Sequence, residues 1–355
     1  RAASAGLKRF KVRLDRRGYR IEPGQPFRIR SLKRGIESMV VRAGRIEDGR
    51  LDDATIAITA VQDVFGLPAS SMTAVQPSGW TPPDATPQAI GVRRLLERTW
   101  RDIAQDTDPA NLELIDPTAC YLQTLAVKPT SLSQGYAMQV RVGSAAWTEA
   151  DDGGDFCLGG LLVAALGPAD TAFTLTAGSD LDFVTPGGAA LIGDEIVRVD
   201  SFDHTTLSGT LGRGCVDTVP TSHPAGTRLW FVEDAGALDS AAYSPGTTVQ
   251  ASLLTQTSQG QLDPALAATD SLTLLGRQGR PYPPGQLRIN GETYPASVTG
   301  DVVLTWAHRD RLLQADQLID TDMGSVGPEA GTTYSARLLR ADTQTELASQ
   351  IGIAG

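Results

Sequence analysis

Three cysteines in 355 residues, Cys120, Cys157 and Cys215, are too few and too far apart for a disulfide framework or a zinc site. Each sits among apolar residues, as in Ala119-Cys120-Tyr121 and Phe156-Cys157-Leu158, so all three are expected to be reduced, buried and inert. No apolar run approaches the roughly 18 residues of a membrane span. The longest, Leu158 to Leu166, is broken by Gly159 and Gly160 and reads as a buried strand. No secretory leader is evident, and the two asparagines, Asn111 and Asn290, lack the glycosylation pattern, so synthesis in a reducing cytoplasm is expected. Histidine is nearly as scarce: His204, His223 and His308 are the only three, which limits any imidazole-based mechanism. No G-x-S-x-G elbow occurs. His308-Arg309-Asp310-Arg311 echoes a kinase catalytic loop, but the glycine-rich loop, strand lysine and D-F-G partners are missing.

Charge is plentiful but divided. The net charge is −10, yet residues 1–50 hold 15 Lys+Arg against 5 Asp+Glu, leaving 16 against 36 for the remainder. A basic segment of this kind can meet nucleic acid or an acidic partner. Neither interleaved aromatics nor a basic helix accompanies it, so the expectation is basic strands facing acidic surfaces of the same or a neighbouring subunit, with no specific nucleic-acid site. The chain opens on Arg1 already in strand-like sequence, an expectation of a longer polypeptide.

From Leu7 to Arg30 basic and apolar residues alternate: Phe10, Val12 and Leu14 against Lys11, Arg13 and Asp15. This is the period of a half-exposed strand. Pro23-Gly24 supplies a turn, and Met39 to Ile46 and Ala54 to Val61 repeat the pattern. Ser70 to Gln88 carries Pro77, Pro82, Pro83 and Pro87 and reads as an extended connector and hinge. Leu95, Leu96, Trp100 and Ile103 have helical spacing and predict a helix over Pro87–Gln105, with a second over Pro109–Ile115. Strands follow over Tyr121–Val127, Tyr136–Val142 and Gly153–Ala165. Asp151, Asp152 and Asp155 fail as a calcium loop, since the twelfth position is Leu162, and are expected at a solvated hairpin tip. Further strands are predicted over Thr247–Leu254, Ser271–Leu275, Val302–Trp306 and Thr333–Leu339.

The most informative stretch is Ala189 to Phe231: an apolar run, Gly193-Asp194-Glu195-Ile196, alternating Val197-Arg198-Val199, a polar turn, Leu207 to Gly214, then His223-Pro224-Ala225-Gly226-Thr227 and a closing strand. Glycine at Gly193 permits a tight hairpin, so the whole reads as a β-meander whose polar groups fall at turns. This order of elements resembles a β-module of phage tail-tip hub proteins, the group of siphophage host-specificity proteins and gene transfer agent hub proteins. The stretch Tyr19-Arg20-Ile21-Glu22-Pro23-Gly24 through Gln62-Asp63-Val64-Phe65-Gly66-Leu67-Pro68 is similar to the close of their hub region.

The fold implied is mainly β and multidomain, with β-barrel or hub-type sheets, small β-modules and one or two short helices. Its divisions are residues 1–69, the C-terminal part of a hub domain; 70–118, a Pro-rich connector and helix; 119–167, a β-module; 168–235, the meander; 236–285, a β-rich connector module; and 286–355. The last, with Trp306 and a Tyr334-led strand, resembles an incomplete fibronectin type III sandwich, expected to continue beyond Gly355 or to be completed by another chain.

The resemblance implies a structural protein of the virion, at the tail tip or baseplate: a homotrimeric ring that closes the tail channel and opens for DNA ejection. Its implied partners are the distal tail protein, tail tube, tape measure and receptor-binding proteins or fibres, with contact to a host-surface receptor also admitted. A receptor- or carbohydrate-binding tail module is the alternative. A cell-wall hydrolase would use the pairs Asp180/Asp182 or Asp194/Glu195, but the five tryptophans, Trp80, Trp100, Trp147, Trp230 and Trp306, are scattered rather than gathered along a sugar track. No catalytic, cofactor or metal residue is assigned.

Overall fold

A computed structural model describes residues 8–49, 55–63, 83–176, 178 and 180–355. The expected exit turn Val64–Pro68, Trp80 and most of the Ser70–Gln88 connector lie outside these residues. The protein is mainly β: the described residues hold 22 strands against two α-helices. The chain divides into two compact units, residues 1–83 and 84–355.

The first unit is an antiparallel sheet of β1 (Arg9–Leu14), β2 (Pro26–Ser31), β3 (Ile36–Asp48) and β4 (Ile56–Gln62), in the order β1-β4-β3-β2. Alternation does what the sequence predicts: Phe10, Val12 and Leu14 turn inward while Arg9, Lys11 and Arg13 stay exposed. Ala43, Ile56 and Ile58 are buried, with Leu14, Ile21, Phe27 and Ile46 packed on them. A 3-10 turn at Arg16–Arg20 interrupts the expected continuous strand. The basic face is partly paired within the unit, Lys11 with Glu47 at 3.2 Å and Arg42 with Asp63 at 3.0 Å.

In the second unit the predicted helix over 87–105 is two elements. Arg93–Glu97 is a strand, β5, because its backbone pairs with β6 (Cys120–Ala126), and α1 begins only at Trp100 and runs to Asp106. Thr99 sets that start: its hydroxyl and the Asp102 carboxylate form a capping box that serves the first free N–H groups. Pro109–Leu114 is a 3-10 turn.

One sheet joins β5, β6 and β15 (Ala237–Tyr243). A second joins β7 (Gly135–Val142), β8 (Thr148–Gly154), β16 (Thr248–Thr257), β17 (Gly260–Gln261) and β18 (Thr269–Thr273). They share a core that includes Leu122, Tyr136, Met138, Val249 and Leu274. Segments 119–167 and 236–285, expected as separate modules on either side of the meander, are thus hydrogen-bonded into common sheets. The acidic turn is likewise corrected: Asp151 and Asp152 lie within β8, and its carboxylate lets Asp151 accept from the Gly153 and Leu238 N–H groups at 2.8 and 2.9 Å.

The meander is larger than its sequence signature. Strands β9 (Leu158–Leu161), β10 (Ala172–Thr174), β11 (Ala189–Ile192), β12 (Glu195–Asp203), β13 (Ser208–Gly212) and β14 (Arg228–Phe231) form a sheet in the order β10-β13-β12-β11-β14-β9. The sheet curls until its ends meet, where Leu162 bridges Leu175 and the Val163 and Thr176 N–H groups donate to Thr174 and Leu161 carbonyls. Closure removes the exposed edges of an open sheet. Inward residues such as Phe173, Ile192, Val197, Val199, Leu211 and Leu229 fill the interior. On the outside, Leu191, Ile196, Cys215 and Trp230 pack with Trp100, Tyr282 and Leu318, so β11 is buried on both faces.

Beyond residue 285 the expected sandwich is replaced by two small sheets: β19 (Gly285–Ile289) with β20 (Leu304–Ala307), and β21 (Thr333–Leu339) with β22 (Glu346–Ala354). Trp306 and Tyr334 do meet, ring centroids 5.1 Å apart. The intervening chain, including α2 (Arg311–Gln314), is committed elsewhere. Arg309 donates to the carbonyls of His308, Asp320, Met323 and Gly324, and Arg311 donates to Gln278 O and stacks over Trp100. No helix among the described residues is long and apolar enough to cross a membrane.

Candidate functional site

Gly193-Asp194 forms the two-residue turn between β11 and β12, with Ile192 opposite Glu195 and Gly193 at φ 57°. A Cβ at Gly193 would stand 3.3 Å from His223 Nδ1. Because side chains alternate along a strand, Glu195 shares the face of Val197 and Val199 and points into the end of the barrel. Reading Glu195 as a turn residue is therefore overturned: it is 2 % exposed.

A buried carboxylate needs partners, and here every one is supplied. Arg213 binds it through Nε and Nη2, both at 2.8 Å, His223 Nε2 lies at 2.8 Å, and the Gly214 and Thr221 N–H groups donate at 3.0 and 2.9 Å. The remaining guanidinium hydrogens go to the carbonyls of Gly167, Asp170 and Thr221, so five arginine donors tie three loops across the barrel mouth. Gly214, at φ 60°, lets the chain turn at this point, and a Cβ there would meet Pro220 Cδ at 2.5 Å. Burial pushes the Glu195 carboxyl up, but the hydrogen bonds from Arg213, His223 and Thr221 outweigh it and hold its pKa below the ordinary 4.5.

Thr221 Oγ1 also approaches His223 Nε2, at 3.3 Å. A hydroxyl-imidazole-carboxylate relay needs its outer members on opposite ring nitrogens. Here both lie on Nε2, so the trio is a charged plug rather than a nucleophile in waiting. The other histidines are committed as well: His204 Nδ1 to Leu181 O at 3.1 Å and His308 Nδ1 to Tyr334 Oη at 2.9 Å.

The paired carboxylates do not face one another across a cleft. Asp194 is almost fully exposed and bound to Arg94 at 2.6 Å, whereas its neighbour Glu195 is inside the barrel. Asp180 is tied to Lys128 at 2.5 Å. Among the described residues no group of three or more His, Cys, Asp or Glu is placed to hold a metal ion.

Outside the plugged end lies a cavity of about 570 Å3. Pro168, Thr171, Val219 and Pro220 of the barrel loops form one wall, and Gln286, Leu287, Arg288 and Tyr294 of the β19 region form the other. Neither wall is marked by any sequence motif, and distant segments make them adjacent.

Cys157 and Cys215 have their thiols pushed up to about 12 by burial, and burial also raises Cys120. Native protein is therefore expected to show no fast-reacting thiol toward an aromatic disulfide reagent, and three after denaturation. A thiol that reacts natively within seconds would place its cysteine at the surface.

No protein-family model matches the chain, and no curated protein matches it in sequence.

Proposed function

We propose that the chain is a structural hub of a tailed-phage tip or baseplate, acting through assembly rather than catalysis. The observation that carries this reading is the use made of its buried and half-buried arginines. Arg101 joins α1 to Glu233 and to Asp316 O; Arg198 joins β12 to Asp320 and Leu318 O; Arg277 joins Asp217 to Glu97 O; Arg213 closes the barrel. Charged groups that cross-tie remote segments specify one arrangement of modules, a property suited to a part that must bear load. The likeness of the Ala189–Phe231 and Tyr19–Pro68 segments to tail-tip hubs supports the same conclusion.

On this reading three copies form a ring around the tail channel, the basic sheet β1–β4 meets acidic tube or tape-measure partners, and the ring opens for DNA ejection. Closed symmetric assemblies are the usual outcome when one chain must encircle an axis. Native mass spectrometry and cryo-electron microscopy of the full polypeptide test it. A trimer that captures tail-tube or distal tail protein is expected, and a monomer with no affinity for either overturns the proposal.

A further inference from the structure

The cavity beside the barrel plug has a surface that assembly does not explain. Tyr294 is 54 % exposed and Leu287 51 %. Two of its lining residues, Gln286 at φ 47° and Tyr294 at φ 54°, occupy the left-handed region that side chains other than glycine seldom adopt. The register of β19 against β20 slips between Gly285 and Arg288, a bulge that re-aims Gln286 and Leu287. Strain held at a concave site is a recurrent mark of ligand binding, and the volume falls within the roughly 300–1,000 Å3 of small-molecule sites.

The polar groups define the ligand. Arg213 lines the cavity but its donors are spent on Glu195 and on carbonyls, so it offers no free charge. Among the described residues Arg288 makes only a long contact to Gly291 O at 3.5 Å, and neither the Tyr294 hydroxyl nor the Asp322 carboxylate has a hydrogen-bond partner. One cation and one anion at the same mouth sum to no net charge, which disfavours a phosphate or a metal. An exposed aromatic face stacks on the C–H face of a sugar ring, while an arginine and a carboxylate satisfy adjacent hydroxyls as donor and acceptor.

We infer that this cavity is a binding site for a neutral saccharide, with Tyr294 as its platform and Arg288 and Asp322 as its hydroxyl partners. The role is separate from hub assembly: a trimer that binds no sugar sinks this inference alone, and a monomer that binds sugar sinks only the assembly reading.

The test uses the full chain on an array of neutral hexose and N-acetylhexosamine oligosaccharides, with calorimetry on those retained. Binding is expected, weakened at least about tenfold by Tyr294→Ala and by Arg288→Ala, and kept within about threefold by Tyr294→Phe. Tyr294→Gly removes the ring while relieving the backbone, so it should lose binding yet melt no lower than Tyr294→Ala. Overturning results are no retention of any saccharide, undiminished binding by Tyr294→Ala, or retention only of apolar peptides on a parallel peptide array.

Discussion

Glu195→Ala is expected to cost about 3–5 kcal/mol of folding free energy, measured by urea denaturation at pH 7. The lost carboxylate itself accounts for little of this. What it leaves behind is a buried guanidinium with two of its five donors, at Nε and Nη2, unmatched, two backbone N–H groups without an acceptor, and a His223 Nε2 with only the longer contact to Thr221 Oγ1. Arg213→Ala should be comparably damaging, since it strands both Glu195 and three loop carbonyls. Because the two substitutions remove the same interaction, the double variant Glu195→Leu with Arg213→Met should cost well short of their sum. A loss below about 1 kcal/mol for Glu195→Ala would show that the plug does not hold the barrel shut.

The pH dependence has a definite sign. Glu195 has a folded pKa depressed below 4.5, so its contribution is present above that value and is lost as pH falls through the folded pKa. Wild type should therefore weaken in acid more steeply than Glu195→Ala, and the gap between them should narrow below pH 4.5.

Leu229→Ala should cost about 2–5 kcal/mol by thermal or urea unfolding. Leu229 is fully buried on β14, opposite Ile192 on one side and Gly160 on the other, and belongs to the barrel interior. Truncation leaves a hole that a closed sheet cannot collapse to fill, because every flanking strand is held by neighbours on both sides. The matched control is Leu266→Ala, at an exposed position, with an expected change within about 0.5 kcal/mol. Equal losses at the two positions would contradict a packed barrel core.

These two residues also show how far the amino-acid sequence carries. Leu229 sits in a short apolar strand after His223-Pro224-Ala225-Gly226-Thr227, and its strand is legible. Its pairing with Leu158–Leu161, some seventy residues earlier, is not, because strand partners at that separation leave no local pattern. Glu195 is the reverse case. The period-two alternation of Glu195, Val197 and Val199 contains the signal that it points inward, but the glycine and aspartate immediately before it carry the stronger local pattern, that of a turn.

The start of α1 is masked for a similar reason. Leu95 and Leu96 fit helical spacing, and only the Thr99/Asp102 capping box marks where the helix begins. The arginine cross-ties to residues 309–329 depend on carbonyl positions, which no residue pattern records. The basic alternating strands of the first unit, by contrast, need only local periodicity and one Pro-Gly turn, and they read directly.

The pairing of β9 with β14, without which the barrel cannot close, has a consequence for how the chain comes off the ribosome. Leu158–Leu161 can meet the β10 end early but cannot pair along its other edge until Arg228–Phe231 has been made, and Leu318 and Asp320, which pack against the barrel exterior and bind Arg198, arrive later still. Throughout that interval the growing chain carries an unsealed, apolar curl of sheet. Synthesis of this protein therefore has a vulnerable window of defined length, and ribosome-stalled chains ending between residues 162 and 227 are the ones a chaperone would hold longest.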